Sequence, residues 1–317
     1  MKNLKLGYIG SGPISDFHIP AIKKLGFKIN LFYSRNYNKA LDFSKKHKIL
    51  IPEKSFKKFL FKTKNVDAII LSIKADVTSK YLEKLCMINK PIFVEKPGAL
   101  NSNDLKRIKK IANSKIYFLY NRRFYGSIKE GKKFISSSNQ CFTSVKIPDS
   151  IKTIKQFYIN GCHILDILLY YFNDLKILRS YKLKNKLGYY FILSSKKNDL
   201  ISCLLNWGSP QNFEINIIND KNERLELRPL ESFFIYKGMQ RIEPTKKYPI
   251  RSYIPKLIKK NSIIFQGMKY KPGFIEQYMQ IKKLIMNKNT NYIFPDIDGA
   301  IKVLNLIEAI IKKAKKS

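Results

Sequence analysis

The sequence predicts an α/β protein: a doubly wound parallel sheet at the N-terminus, then an α+β domain with an open, mostly antiparallel sheet. Three observations predict it. Strand and helix patterns alternate over the first 120 residues, as crossover-connected parallel strands require. After that point strand-like segments follow one another, separated by Asn, Asp, Gly and Pro, which suits antiparallel pairing. The chain has 317 residues, enough for about two domains of roughly 150 each.

The elements follow in order. Residues 5–9 form a short apolar run and read as the first strand. Residues 15–25 place Phe17, Ala21, Ile22 and Leu25 at helical spacing and stop at Gly26, a helix-end signal. Residues 28–33 alternate as a second strand, 38–46 read as a helix, 49–51 as a short strand and 55–61 as a short helix. Residues 66–73 (VDAIILSI) are apolar nearly throughout, as a parallel strand buried on both faces would be. A helix over 76–88, a strand over 91–94, a helix over 102–112 and a strand over 116–120 complete the first domain, residues 1–120. In the second domain, 121–317, residues 127–137 read as a helix, 140–147 as a strand and 160–172 as an apolar helix. LGYYFILSS, LISCLLNW, FEINIIND, RLELRPL and SFFIYK read as strands. Residues 238–273 carry little periodicity and read as a loop on the substrate side or at an interface. Helices over 274–286 and 297–313 close the chain, the last with Ile297, Ala300, Ile301, Leu304, Ile307 and Ile311 on one stripe.

Composition excludes several classes. Apolar residues make up 44% and aromatics 13%, too many for a disordered chain. No apolar stretch approaches the roughly 18 residues of a membrane span. The N-terminus runs straight into a strand pattern without a secretory signal, so a cytoplasmic protein is expected. Cys86, Cys141, Cys162 and Cys203 are widely spaced and read as reduced thiols; with His18, His47 and His163 they form no metal pattern. The net charge is +38. Only nine of the 61 basic residues are Arg, and the lysines are spread along the chain beside abundant Asn and Ile. That matches an A/T-rich coding bias better than a nucleic-acid reader, which leans on Arg forks. No specific nucleic acid and no membrane are expected as partners.

Four motifs carry chemistry. Gly10-Ser11-Gly12-Pro13-Ile14-Ser15 follows the first strand and opens a helix. This is the Rossmann dinucleotide fingerprint with Ser15 at the third glycine position: Gly10 permits the tight turn, and Gly12 lets a pyrophosphate approach the helix N-terminus. The second strand ends in Ser34-Arg35, where an NAD-specific site usually carries an acid. A hydroxyl and a guanidinium suit a 2′-phosphate, so NADP is favoured over NAD. Glu95-Lys96-Pro97 stands at the end of a strand, where open α/β sheets bind ligands, and a Lys there can stabilise a forming alkoxide. In Asn160-Gly161-Cys162-His163-Ile164-Leu165-Asp166, His163 and Asp166 share a helix face one turn apart. The readings open for His163 are a core histidine and a proton-transfer group.

The order of these motifs resembles a known family: Gly10 and Gly12 with His18, then EKP at 95–97, NRRF at 121–124 and G-x-H-x-x-D at 161–166. KPGFIEQ at 271–277 and PDIDGAIKVLNLIEAI at 295–310 fit as well. The chain is similar over nearly its whole length to the glucose–fructose oxidoreductase / inositol dehydrogenase / rhizopine-catabolism (Gfo/Idh/MocA) oxidoreductases. The resemblance implies a Rossmann domain and a second domain whose open sheet face often joins subunits, so a homodimer or homotetramer. It implies NAD(P)-dependent hydride transfer on a CH–OH group of a sugar, nucleotide-sugar or polyol. Lys96 and His163 match the catalytic positions, and Lys96, Asn160 and His163 the substrate contacts. Gly10, Gly12, Pro13, Ile14, Ser34, Arg35, Ser72, Glu95, Lys96 and Arg122 match the cofactor side. No metal is implied. The sequence departs from the family in two places: Ile159 stands where many members carry an Asp before the histidine, and 72–77 lacks the usual Pro and His. These departures motivate a rival reading, a non-catalytic dinucleotide-binding sensor or scaffold.

Overall fold

The computed structural model describes residues 4–149, 153–184, 188–208, 210–287 and 292–316. Five strands form one sheet: β1 (Lys5–Ile9), β2 (Lys28–Tyr33), β3 (Ala68–Leu71), β4 (Ile92–Glu95) and β5 (Ile116–Leu119). Nine form another: β6 (Cys141–Asp149), β7 (Leu175–Leu183), β8 (Gly188–Ser195), β9 (Leu200–Trp207), β10 (Glu214–Asn219), β11 (Glu223–Leu227), β12 (Phe233–Ile242), β13 (Ser252–Asn261) and β14 (Lys315–Lys316). The helices are α1 (Ser15–Lys24), α2 (Tyr37–His47), α3 (Phe56–Lys62), α4 (Ala75–Leu85), α5 (Ser102–Ile111), α6 (Gly126–Ser136), α7 (Ile154–Gln156), α8 (Cys162–Phe172), α9 (Phe274–Ile285) and α10 (Ile297–Lys313). The chain divides into two units, Met1–Phe124 with Met268–Glu308, and Tyr125–Gly267 with Ala309–Ser317.

In the first unit the strand order is β2-β1-β3-β4-β5, every pair parallel. β3, β4 and β5 are buried at every residue, which is why their sequences are unbroken apolar runs. The order reverses between β1 and β3, and doubly wound sheets take ligands at the carboxyl ends of such a pair. The N-cap side chains of Asn36, Ser55 and Asn101 accept from the amides of Lys39, Lys58 and Asp104, starting α2, α3 and α5. Residues 49–51 were expected as a strand and are not one. The Ser44 hydroxyl donates to the carbonyls of Ile49 (2.9 Å) and Leu50 (3.0 Å), groups a ladder would have used.

The expected boundary after Tyr120 also moves. The 3₁₀ turn Asn121–Phe124 stays with the first unit: Asn121 Nδ2 donates to the Pro272 carbonyl (3.2 Å), and an Arg123 guanidinium nitrogen to that of Ile293 (3.0 Å). α9 returns to this unit as well. Its face of Phe274, Gln277, Tyr278 and Ile281 is buried, and Phe274, Tyr278 and Ile281 join the core cluster of Tyr8, Ile22 and Phe32. Each such apolar side chain contributes about 1.5–3 kcal/mol.

The second unit has strand order β13-β12-β11-β10-β6-β9-β8-β7-β14. It is mostly antiparallel; β6–β9 and β7–β14 are the parallel pairs. Leu187, expected to open a strand, lies outside the described residues. Residues 238–273, read as a loop, contain half of β12 and all of β13, paired from Phe233↔Asn261 to Ile242↔Ser252. All ten residues of β13 are exposed, so no buried alternation marks it in the sequence. No helix among the described residues is long and apolar enough to cross a membrane, and none of their His, Cys, Asp and Glu side chains group to hold a metal.

All four cysteines are buried and unpaired by disulfide. Burial pushes the Cys141 thiol up to about 11 and raises those of Cys86 and Cys203. The native protein is expected to leave a thiol-titrating disulfide reagent unreacted at neutral pH and to react fully only in denaturant; fast labelling of the native chain would contradict the burial.

Candidate functional site

β1 delivers the chain into Gly10, whose φ is +123°. A Cβ there would collide with the Ser72 carbonyl, so the turn requires glycine. The Gly10 amide donates to the Tyr33 carbonyl (2.9 Å) and the Ser72 amide to the Ile9 carbonyl (2.8 Å), locking the loop between β2 and β3. At Gly12 no protein atom lies within 4 Å of where a Cβ would stand. That space opens into a cavity of about 740 Å³. The first turn of α1, which follows the loop, has no capping side chain. The positive end of a helix and a backbone without side chains suit a pyrophosphate.

The cavity wall gathers Gly10, Gly12, Pro13, Ile14, Ser34, Arg35 and Ser72, seven of the expected cofactor residues. Ser34 Oγ lies 2.8 Å from Ser11 Oγ, which ties the end of β2 to the glycine loop. Arg35 is exposed on the wall, joined by Lys39 from the first turns of α2 and Lys74 from the start of α4. Asp76 is the carboxylate on that wall. Burial, with Tyr81 beside it, pushes the Tyr33 hydroxyl up to about 12, so it lines the cavity as a neutral group. The residues present therefore fit a dinucleotide. Lys39 and Lys74 were not singled out in the sequence; Lys39 lies in the first turn of α2, just beyond Arg35 and the N-cap Asn36.

Glu95, Lys96 and Arg122 do not line this cavity. Glu95 ends β4 and is buried, Lys96 is half-buried after it, and Arg122 is half-buried on the turn after β5. His18, on the buried face of α1, places Nε2 2.8 Å from Glu95 Oε1, and its Nδ1 lies 2.8 Å from the Tyr278 hydroxyl on α9.

In the second unit α7 runs through a π-helical turn, Phe157–Gly161, into α8. Gly161 is required because a Cβ would strike the Phe157 ring. Such wide turns often sit at functional positions. Asn160 lies on this turn, and His163 and Asp166 are buried in α8. Asn160 Nδ2 donates to Asp149 Oδ2 (3.0 Å). Asp149, at the end of β6, thus brings an acid beside the motif that has Ile at 159. Nothing in a single sequence pairs those two positions.

Residues 4–120 match the family model described as an oxidoreductase family with an NAD-binding Rossmann fold. That match to the Gfo/Idh/MocA oxidoreductases covers the N-terminal dinucleotide-binding domain. An uncharacterised protein of Saccharomyces cerevisiae, YMR315W, is 34% identical over 120 residues, 36% of this chain and 34% of that protein. The chain thus spans about a third of the curated relative it matches. Solved structures share the fold over nearly the whole chain. KijD10, a 3-ketoreductase from Actinomadura kijaniata in complex with NADP and TDP-benzene, aligns with a TM-score of 0.73 at 11% identity, covering 99% of each chain. A super-repressor mutant of Gal80p from Saccharomyces cerevisiae aligns at 0.76 and 16% identity, covering 98% of this chain and 96% of that one. Proteins that share this fold thus include a 3-ketoreductase and a super-repressor mutant.

Proposed function

We propose that this protein is a Gfo/Idh/MocA oxidoreductase that depends on NADP(H) and acts on a CH–OH or carbonyl carbon of a sugar, nucleotide-sugar or polyol. The observation that carries the reading is the cavity wall where Ser34, Arg35 and Lys39 stand beside the glycine loop, with no acid at the end of β2. The glycine loop and α1 hold the pyrophosphate; Ser34 and Arg35, with Lys39, take the 2′-phosphate. Bound NADP would accept or supply the hydride. Lys96 stabilises the alkoxide as it forms, and His163 exchanges the hydroxyl proton. Asn160, held by Asp149, is a substrate contact. Glu95 and Arg122 serve the cofactor side. The first unit binds the cofactor; the second supplies substrate contacts and joins subunits of a cytoplasmic homo-oligomer.

Fluorescence titration with NADPH and NADH tests this. NADPH is expected to bind more tightly, and Arg35→Ala to weaken NADPH about 10- to 100-fold, the loss of a charge-assisted contact worth roughly 1.5–3 kcal/mol, while NADH changes less than about twofold. Equal losses for both nucleotides would remove Arg35 from 2′-phosphate recognition. Tighter NADH binding would keep the class and reverse the cofactor. The rival reading, a non-catalytic binder, is favoured by the Gal80p likeness and by Ile159. It expects cofactor binding with no turnover on any carbinol.

A further inference from the structure

The proposed chemistry uses Glu95 and Lys96 but gives no role to His18, which the fold buries against Glu95, or to Tyr278 behind it. His18 and Tyr278 are fully buried and Glu95 is 6% exposed. The His18 ring packs among Phe274 (centroids 4.9 Å), Tyr278 (5.7 Å) and Tyr8 (6.3 Å), apolar walls that give it two polar neighbours. Those are the Glu95 carboxylate at Nε2 and the Tyr278 hydroxyl at Nδ1, each at 2.8 Å. Burial, then the nearby Tyr8 and Glu95, holds the Tyr278 pKa well above its ordinary value, so it keeps its proton at neutral pH. In a neutral ring the nitrogen that faces an acceptor-only carboxylate carries the proton, so Nε2 donates to Glu95 and Nδ1 accepts from the Tyr278 hydroxyl. Three elements meet here: α1, which opens at the glycine loop; β4, which ends at Glu95; and α9, which returns from far along the chain. The arrangement parallels the way an outer partner sets the tautomer of a functional histidine.

We infer that Tyr278, His18 and Glu95 form a buried positioning chain that holds the Glu95 carboxylate in one orientation next to Lys96, and so sets the grip on the nicotinamide half of the cofactor. This rests on the proposed dinucleotide reading. The strand order gives the direction. Arg35 follows β2 on one side of the β1/β3 reversal, and Glu95 ends β4 on the other. A dinucleotide laid across that reversal puts its adenosine at β2 and its nicotinamide towards β4. The chain therefore acts on one half of the ligand only.

The experiment compares two ligands on wild type, Tyr278→Phe and Glu95→Gln: NADPH, and 2′,5′-ADP, which lacks the nicotinamide. Both variants keep the size of the side chain, and thermal scans confirm folding. NADPH affinity is expected to fall about tenfold, the scale of one hydrogen bond to a charged group, while 2′,5′-ADP affinity stays within about twofold. Parallel losses for both ligands would mean general loosening and overturn the inference; so would unchanged NADPH binding. A second readout needs no cofactor. The chain has three histidines, so ¹⁵N ring spectra assign by single His→Gln variants. Wild type is expected to show a His18 ring protonated at Nε2 alone, and Tyr278→Phe a ring that loses that preference. A wild-type ring averaged between tautomers, or protonated at Nδ1 alone, overturns the chain. If wild type binds neither nucleotide, the cofactor reading fails, and the ring spectra still decide whether the positioning chain exists.

Discussion

Lys96→Met is expected to lower kcat by about a thousandfold on any carbinol substrate the protein turns over, while the Kd for NADPH changes by less than about threefold. The argument starts from position. β4 is buried at all four residues and delivers Lys96, half-buried, at its carboxyl end. The buried strand fixes the backbone from which that half-buried side chain starts. Oxidation of a carbinol carbon builds charge on its oxygen, and a preplaced cation stabilises that charge more than the neutral hydroxyl. Removing one such group typically costs 10²–10³ in kcat or more. Methionine keeps the length of the stem and removes the charge, so packing is retained. Lys96 does not line the cavity of the glycine loop, so most cofactor affinity should survive. Stopped-flow or steady-state absorbance of NADPH, with a panel of nucleotide-sugars and sugars, provides the measurement. Turnover equal to wild type would remove Lys96 from the reaction. Turnover and NADPH affinity lost together would place it in cofactor binding instead.

The parts of this fold that were legible in the sequence are those where local pattern and burial agree. β3 is apolar because both of its faces are covered, and α10 carries its stripe because one face is. The glycine loop was legible because its turn excludes side chains. β13 was not, because a strand exposed at every residue has no alternation to read. α9 showed an amphipathic face, but a face does not say which domain covers it; Phe274 and Tyr278 return to a core assembled some 250 residues earlier in the chain. The site divides the same way. The place of Arg35 on the cavity wall was legible because ligands in this fold lie at the carboxyl ends of the strands. Asp149 beside Asn160 and Tyr278 beside His18 were not, since each pairing depends on where two elements pack.

The two glycines of the loop should both lose NADPH affinity on the same substitution, but only one of them should lose stability. Gly10→Ala is expected to destabilise the first unit by about 3 kcal/mol and to abolish NADPH binding in the same step. Its φ of +123° lies where an L side chain is strained, and the added methyl meets a backbone carbonyl, that of Ser72, which cannot rotate away. Overpacking against rigid structure costs about 1–3 kcal/mol, and the backbone conformation adds roughly another 1 kcal/mol. The Ser72 amide also holds β1 through Ile9, so relief by movement would break the pairing at the site itself. Gly12→Ala meets no protein atom within 4 Å and should leave the thermal transition unchanged. Its methyl would occupy the space through which a pyrophosphate reaches the start of α1, so NADPH affinity should still fall, by about tenfold or more. Thermal unfolding and NADPH titration on both variants separate the two effects. A Gly12→Ala protein that binds NADPH as wild type does would mean that the cavity beside the loop takes no pyrophosphate. A Gly10→Ala protein that melts as wild type does would mean that the turn tolerates a side chain its geometry forbids.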